Sequence, residues 1–390
     1  MRLDGEILIA GAGIGGLALG GGLAQRGFAC RVLERAPALA AVGAGILVQT
    51  AAMLALRTLG LDRAVAAAGR EVRVGVVKTE RGRMLQRTSL AFLGEELGVP
   101  TIALHRARLQ EVLREGLGGA TLELGAEVER YEVDEGGVTV LLRGGRRVRG
   151  ALLVGADGLY SAVRRTLLGE TPPRYSGYTS WRGIAEVGAT PPEEVAEMWG
   201  PGARFGFAGI GKGEVYWFAV LNAKPGEREP NSLAVVRQHF ASFADPVSAL
   251  LASTPSERVF RTDIHDRVPV ASWSRDRVTL LGDAAHPTTP NLGQGGCMAI
   301  EDAVTLAHAL EHAPSFSAAF ADYERKRVAR TTRIVNASFR FGQLAQLENR
   351  LAIAVRNWLL RLTPEGVLER ELRRAAEFSL EDGLARAPAR

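Results

Sequence analysis

Three similar blocks stand out in the apolar pattern of the chain, each a short run that ends in small residues and passes into a helical pattern, with an acid at the end of one of its strands. The first opens with ILIA (Ile7 to Ala10), crosses a glycine turn, continues as a helix and returns to an apolar run, Ala29 to Leu33, that ends at Glu34. That order predicts a βαβ unit and therefore a parallel sheet. The second block is LLVGADGLYSAVRR (Leu152 to Arg165), which places Asp157 after its strand. The third, RVTLLGD, places Asp283 likewise and runs on through HPTTPNLGQGGCMAIEDA to Ala303. In an open α/β sheet, ligands gather at the C-terminal edge of the strands, where these acids fall.

Between the blocks the period changes to two. VRVGVVKTERGRMLQRTSL (from Val72) and the stretch from Tyr175 to Trp273 read as strands separated by Gly/Pro turns. ARFGFAGIGKGEVYWFAVLN (Ala203 to Asn222) is the clearest pair, two alternating runs joined by Gly211 to Gly213. From Pro314 onward the spacing is helical. RLAIAVRNWLLRL (Arg350 to Leu362) puts Trp358 and its leucines at intervals that predict a face turned to the core.

The first turn has a chemical reading. Gly11, Gly13 and Gly16 form G-x-G-x-x-G: a tight turn, a place where a pyrophosphate reaches the backbone, and close helix–strand packing. The following helix turns unpaired N–H groups toward the phosphates. Glu34, about twenty residues on, is placed to accept from a ribose diol, which favours FAD or NAD over a 2′-phosphorylated nucleotide. Gly20, Gly21 and Gly22 inside the helix predict close packing on the sheet. In the third block Asp283 suits the hydroxyls of a ribityl chain. Pro287 and Pro290 stiffen the loop, and Gly293, Gly295 and Gly296 let the backbone lie against a flat ring. A helix starting near Gly296 directs its positive end at that ring.

With GAGIGG, GADGLYSAVRR and GDAAHPTTPNLGQGGCMAIEDA in this order, the sequence resembles the FAD-dependent group A aromatic monooxygenases, the family of p-hydroxybenzoate hydroxylase, salicylate hydroxylase and the zeaxanthin epoxidase-like enzymes. VGAGI (Val42 to Ile46) and HRARL (His105 to Leu109) also look like family segments. The resemblance implies an α/β fold: a Rossmann-type FAD-binding domain (GR2-like) made of residues 1–75, 100–172 and 276–315. It also implies an inserted mixed or antiparallel β-sheet substrate domain (76–99 and 173–275) and a C-terminal helical region (316–390). It places FAD on Gly11, Gly13, Gly16, Glu34, Arg35, Arg106, Asp157 and Asp283, with Pro290, Gly293, Gly295 and Gly296 against the isoalloxazine. By its pattern alone Arg106 would be a helix-surface cation, and His105 and His286 read as structural or loop histidines.

The resemblance further implies the activity: NADH or NADPH visits transiently and reduces the flavin, O2 adds, and a flavin C4a-hydroperoxide gives one oxygen atom to an aromatic or heteroaromatic small molecule. Candidate pocket residues are Arg204 and Tyr216 on neighbouring strands and Arg182 in SWRG, each also readable as an inter-strand polar residue. Asn291 stands where the urate-hydroxylase branch carries Asp, which argues against urate. Epoxidation of an isoprenoid or polyene, and a non-catalytic FAD-binding module, are the competing readings. A flavin halogenase lacks support because SWSRDRV does not match W-x-W-x-I-P.

Composition narrows the classes further. Of 390 residues 46% are hydrophobic and 23% charged, the balance of a globular enzyme, with a formal net charge of +5. The basic run RKRVARTTR (Arg325 to Arg333) reads as a solvated helix face. No nucleic-acid motif accompanies it, so no nucleic-acid partner is expected. Cys30 and Cys297 form no CxxC or Cys/His cluster, so neither a disulfide framework nor a metal site is expected, and a reducing cytoplasm fits. Ile7 to Ala24 is uncharged but holds seven glycines and reads as strand, turn and helix rather than as a leader or membrane span. The expected partners are a small aromatic or lipophilic substrate, O2 and NAD(P)H, with no integral membrane association, in a monomer or homodimer.

Overall fold

Every side chain of the Ile7–Ala10 strand is buried, as an interior parallel strand with both faces covered requires. It pairs in parallel with Cys30–Glu34 on one side (Ile7 opposite Cys30) and with Leu152–Gly155 on the other (Ile7 opposite Leu152). Val278–Leu280 adds beside Leu152–Gly155, and Thr121–Leu124 beside Cys30–Glu34, both in parallel. A short antiparallel strand, Ser274–Arg275, closes one edge of this six-stranded sheet. The three blocks therefore deliver their strands side by side, with the C-terminal ends on one edge. This computed structural model describes residues 5–39, 44–188, 192, 194–227 and 229–381. Val42 and Gly43 of VGAGI lie outside them.

The Ile14–Gln25 helix is apolar all round and packs between the sheet and the Gly295–His312 helix. Its inner glycines are there for proximity: a Cβ on Gly21 would lie 2.6 Å from the carbonyl oxygen of Gly116. The close packing expected on the sheet holds for Gly20, where a Cβ would lie 3.0 Å from Val32, whereas Gly21 meets the end of the Arg106–Glu115 helix and Gly22 faces Leu59 and Ala307.

A second sheet of seven strands runs Phe260–Asp266, Arg174–Glu186, Glu214–Asn222, Ala203–Gly209, Val195–Gly200, Val74–Thr79, Met84–Ser89. All neighbours are antiparallel except Val195–Gly200 with Val74–Thr79. The Ala203–Gly209 strand is buried on both faces. One face carries Phe205 and Phe207 and packs, with Trp217, on Val236, Phe240, Val247 and Leu250 from two short helices. The other carries Arg204 and looks toward the first sheet. Two three-stranded sheets not foreseen from the pattern also form: Val128–Asp134, Gly137–Leu142 and Arg147–Gly150, and Gly45–Val48, Ile102–His105 and Arg70–Glu71.

After Pro314 the chain is helical, as expected: Phe316–Ala345, Arg350–Leu362 and Glu365–Glu381. Two expectations about these helices are corrected. The basic run is not simply a solvated face, because Arg327 and Arg330 are buried and paired with Glu301 and Asp302 of the Gly295–His312 helix. Trp358 and its neighbouring leucines do not face the core; Leu351, Trp358, Leu359 and Leu362 are exposed. Among the described residues, no helix is long and apolar enough to cross a membrane.

Candidate functional site

The glycine turn after Ile7–Ala10 is built to come close to a ligand. Gly11 has φ +102°, and a Cβ there would lie 2.5 Å from the carbonyl oxygen of Ala156 on the neighbouring strand end. A Cβ on Gly16 would lie 1.9 Å from the carbonyl oxygen of Gly11, so the helix must begin with glycine. Gly13 is different: a Cβ there would meet nothing within 4 Å. The space above it is open, as a pyrophosphate lying on the helix N-terminus needs. Glu34 holds the turn, its carboxylate accepting from the N–H of Ala12 (2.7 Å) and of Ala36 (2.9 Å). Gln110 donates to the Ala12 carbonyl at 2.9 Å. Arg35 follows Glu34 into solvent.

Asp157 sits at the second strand end, and its carboxylate caps the Ala162–Leu168 helix. It accepts from Ser161 Oγ (2.5 Å) and from the N–H groups of Ala162 (2.8 Å) and Val163 (3.2 Å). Its neighbours Ala156 and Gly158 line the cavity. Arg164, at the helix start of the second block, is the brace between the second and third blocks. Its buried guanidinium donates to the carbonyls of both Ala284 and Ala285 at 2.8 Å. Desolvation, with Arg267 nearby, pulls its pKa down to about 10.

Asp283 projects into the cavity formed where the strand ends meet. Its side chain is exposed to the cavity. Desolvation by the surrounding protein raises its pKa, partly opposed by His286 and by Arg106, which lines the same cavity. A carboxylate open to the cavity in this way is available to ligand hydroxyls. The Gly295–His312 helix begins beside it; a Cβ on Gly295 would lie 3.9 Å from Asp283 Oδ1. The loop is pinned from outside, with Gln49 donating to the Leu292 carbonyl at 2.9 Å and bonded to Gln294. Cys297 Sγ accepts from the Gln49 N–H at 3.4 Å. Pro290, Gly293, Gly295 and Gly296 all line the cavity.

These residues fit an FAD: open space over Gly13, a carboxylate exposed to the groove at Asp283, and a glycine-faced helix start beside it. His105 and His286 are structural, as expected. The first accepts from Ala107 N–H at a helix start, and the second pairs with buried Asp302 at 2.6 Å. Asp283→Ala is expected to weaken FAD retention by about tenfold or more, from the loss of a charged hydrogen-bond acceptor. The flavin-to-protein absorbance ratio after dialysis reads this, and an unchanged ratio would remove Asp283 from the site.

Beyond the flavin groove the cavity, about 460 Å³ in all, opens against the seven-stranded sheet. Arg182, Arg204 and Tyr216 all line it, beside Phe218, Val220 and Phe260. Burial raises the Tyr216 pKa, opposed by Arg182, so the phenol stays protonated near neutrality. Arg204 is the most constrained of the three. It is 1% exposed, its Nε donating to Gln346 Oε1 (2.9 Å) and its Nη2 to Asn291 Oδ1 (2.7 Å). Glu197 stands 3.5 Å from Nη1.

Asn291 is locked in turn. Its Nδ2 faces the Tyr178 hydroxyl (2.8 Å), Thr289 Oγ1 (2.9 Å) and the Ser338 carbonyl (2.8 Å). Arg204 only donates and the Ser338 carbonyl only accepts, which fixes the amide orientation. A carboxylate at 291 would set an anionic oxygen against that carbonyl. Gln346 and Tyr178 carried no signal in the sequence, being 142 and 26 residues from Arg204.

Residues 4–338 match a family model described as an FAD binding domain. The chain is 48% identical over 381 residues to the aurachin C monooxygenase/isomerase of Stigmatella aurantiaca, covering 97% of this chain and 100% of that protein. It is 35% identical over 363 residues to the 2-heptyl-3-hydroxy-4(1H)-quinolone synthase of Pseudomonas aeruginosa, covering 92% and 94%. A solved Klebsiella pneumoniae structure complexed with FAD and uric acid superposes with a TM-score of 0.88 at 31% identity, covering 97% and 98%.

Proposed function

The chain belongs to the FAD-dependent group A monooxygenases, and on that premise we propose that its substrate is a lipophilic, oxo-substituted fused N-heteroaromatic ring of the alkylquinolone kind, held by its ring oxygen at Arg204. The enzyme inserts one oxygen atom from O2 into an aromatic or heteroaromatic small molecule, and the bound FAD, once reduced, supplies the oxygen activation. We take the reductant to be NADH or NADPH. Gly11, Gly13, Gly16, Glu34, Arg106 and Asp283 would hold the cofactor, and the Gly293 to Gly296 backbone would lie along its ring.

One observation carries the substrate reading. The Arg204 guanidinium is buried among apolar walls, and both of its close acceptors, Gln346 and Asn291, are neutral amides. Glu197 is its ionic partner, with Oε2 3.5 Å from Nη1. Such a cation is completed by an oxygen that carries negative charge in the electron-rich form of the ring. Arg182 and Tyr216 add donors on the same wall, and Phe218, Val220 and Phe260 exclude water from the reacting ring. Relatives at 48% and 35% identity whose names specify aurachin C and a heptylated quinolone support this class. Urate is disfavoured, because the Ser338 carbonyl beside Asn291 calls for an amide at that position.

The test is a panel of 2-alkyl-4-quinolones, urate and polyenes, following NAD(P)H oxidation and peroxide release together. The expected result is faster oxidation and a smaller peroxide fraction with the quinolones alone. Stimulation by urate or by the polyenes, with none by quinolones, would overturn the proposal. We place the enzyme in the cytoplasm: Cys30 and Cys297 are buried free thiols, and burial pushes their pKa values up to about 11 and about 12.

A further inference from the structure

The Arg350–Leu362 helix is turned inside out. Its inward side carries Arg356, 3% exposed, which donates to the carbonyls of Leu344 (3.2 Å) and Ala345 (3.1 Å) and lies 5.0 Å over the Trp199 ring. Its outward side carries Leu351, Val355, Trp358, Leu359 and Leu362, between 49% and 74% exposed. Of twelve large hydrophobic side chains exposed among the described residues, seven fall between Leu344 and Val367, so the exposure is concentrated on one part of the surface. Positions 351, 355, 358 and 362 form a single stripe along the helix. Arg350 and Arg361, both exposed, stand roughly 80–100° round the helix on one flank of it, by the 3.6-residue turn. The helix carries no carboxylate.

We infer that this helix seats the enzyme on an anionic lipid surface. An apolar stripe containing tryptophan, flanked by guanidinium groups and free of acids, is the pattern of a helix lying in the plane of a bilayer interface. Leucines and the indole enter the acyl boundary, while Arg350 and Arg361 meet lipid phosphates. A second copy of the chain fits this face less well. Pairing the helix with itself about a two-fold axis sets cation near cation, with no acid on the helix to answer them. The chain between this helix and the long one before it, Gln346 to Asn349, includes the glutamine that holds Arg204. The lipid-bound face is thus joined through four residues to the wall of the oxygenation cavity. The inference stands on exposure and charge and does not depend on the substrate assignment.

The experiment is co-sedimentation of the FAD-loaded enzyme with phosphatidylcholine vesicles, with and without phosphatidylglycerol. The wild type is expected to sediment with the anionic vesicles and weakly or not at all with phosphatidylcholine alone. Trp358→Glu combined with Leu362→Glu should weaken that binding by about tenfold or more, with the flavin spectrum and melting midpoint unchanged. Arg350→Gln with Arg361→Gln should remove only the preference for anionic lipid. Wild-type protein that stays in the supernatant with anionic vesicles, or a double glutamate variant that sediments like wild type, overturns the inference. A dimer that the glutamate variant splits, with no vesicle binding by either protein, overturns it in favour of self-association.

Discussion

Arg204→Met is expected to leave FAD content intact and to lower kcat/KM by about 10²- to 10³-fold, the usual loss when a preorganised donor to developing negative charge is removed. Methionine keeps much of the arginine's length and apolar stem, so the cavity wall survives. What goes is the cation between Gln346 Oε1 and Asn291 Oδ1. Those amides still have partners, Gln346 Nε2 donating to the Gly202 carbonyl and Asn291 Nδ2 to that of Ser338, so the local framework stays tied. Steady-state kinetics with the preferred quinolone, alongside the flavin absorbance ratio, separates the two effects. A variant with full FAD and full turnover would mean that the substrate oxygen is held elsewhere, with Arg182 the next candidate.

The second large effect is on stability. Arg327→Met is expected to destabilise the FAD-saturated enzyme by about 3–5 kcal/mol, because one partner of a buried ionic cluster is removed and the others are stranded. Arg327 donates to Asp302 Oδ1 (2.5 Å), Glu301 Oε2 (2.8 Å) and the Met298 carbonyl (3.2 Å). Asp302 also accepts from the Gly282 N–H at 3.0 Å and pairs with His286, so the cluster ties the Gly295–His312 and Phe316–Ala345 helices to the loop that presents Asp283. Chemical denaturation at fixed FAD concentration measures the loss, since bound FAD itself adds stability. A loss below about 1 kcal/mol would mean the cluster is not a tie.

The same cluster has a pH signature. Burial alone would raise the Asp302 pKa, but His286 and Arg327 outweigh it and hold the carboxyl at about 2. A carboxyl depressed in the folded state below its ordinary value of about 3.9 contributes in full above that value and loses the contribution as pH falls toward about 2. Without the Arg327 charge the folded-state pKa rises toward the unfolded one, so between about pH 4 and pH 2 the Arg327→Met variant should lose less stability with falling pH than wild type does.

The nucleotide end of the site was legible because its signals are local. Gly11, Gly13, Gly16 and Glu34 lie within one βαβ unit, and Asp283 and the glycines after it lie within one loop, so a single window of sequence contains each device. Arg204, Tyr216 and Arg182 were legible only as candidates. The partners that rank them, Asn291, Gln346 and Tyr178, arrive from other elements, and no periodicity marks such a meeting. Arg327 and Arg330 misled for a related reason. A basic helical run looks solvated until the acids facing it, Glu301 and Asp302 on another helix, are known. The Arg350–Leu362 helix shows a different limit: spacing tells that one side is apolar, but not whether that side turns inward. Here Arg356 and its carbonyl acceptors took the inward side.

We propose that the enzyme, with FAD held at three adjacent strand ends, adds one oxygen atom to a ring bound at Arg204 in the adjoining cavity. Turnover of the preferred alkylquinolone under heavy-isotope dioxygen, with the product read by mass spectrometry, tests it most directly. The account predicts a product carrying one labelled oxygen, in amounts that track NAD(P)H consumed, and its near-disappearance in Arg204→Met. Product oxygen drawn from water, or NAD(P)H consumption that yields only labelled peroxide with every ring compound offered, would contradict it.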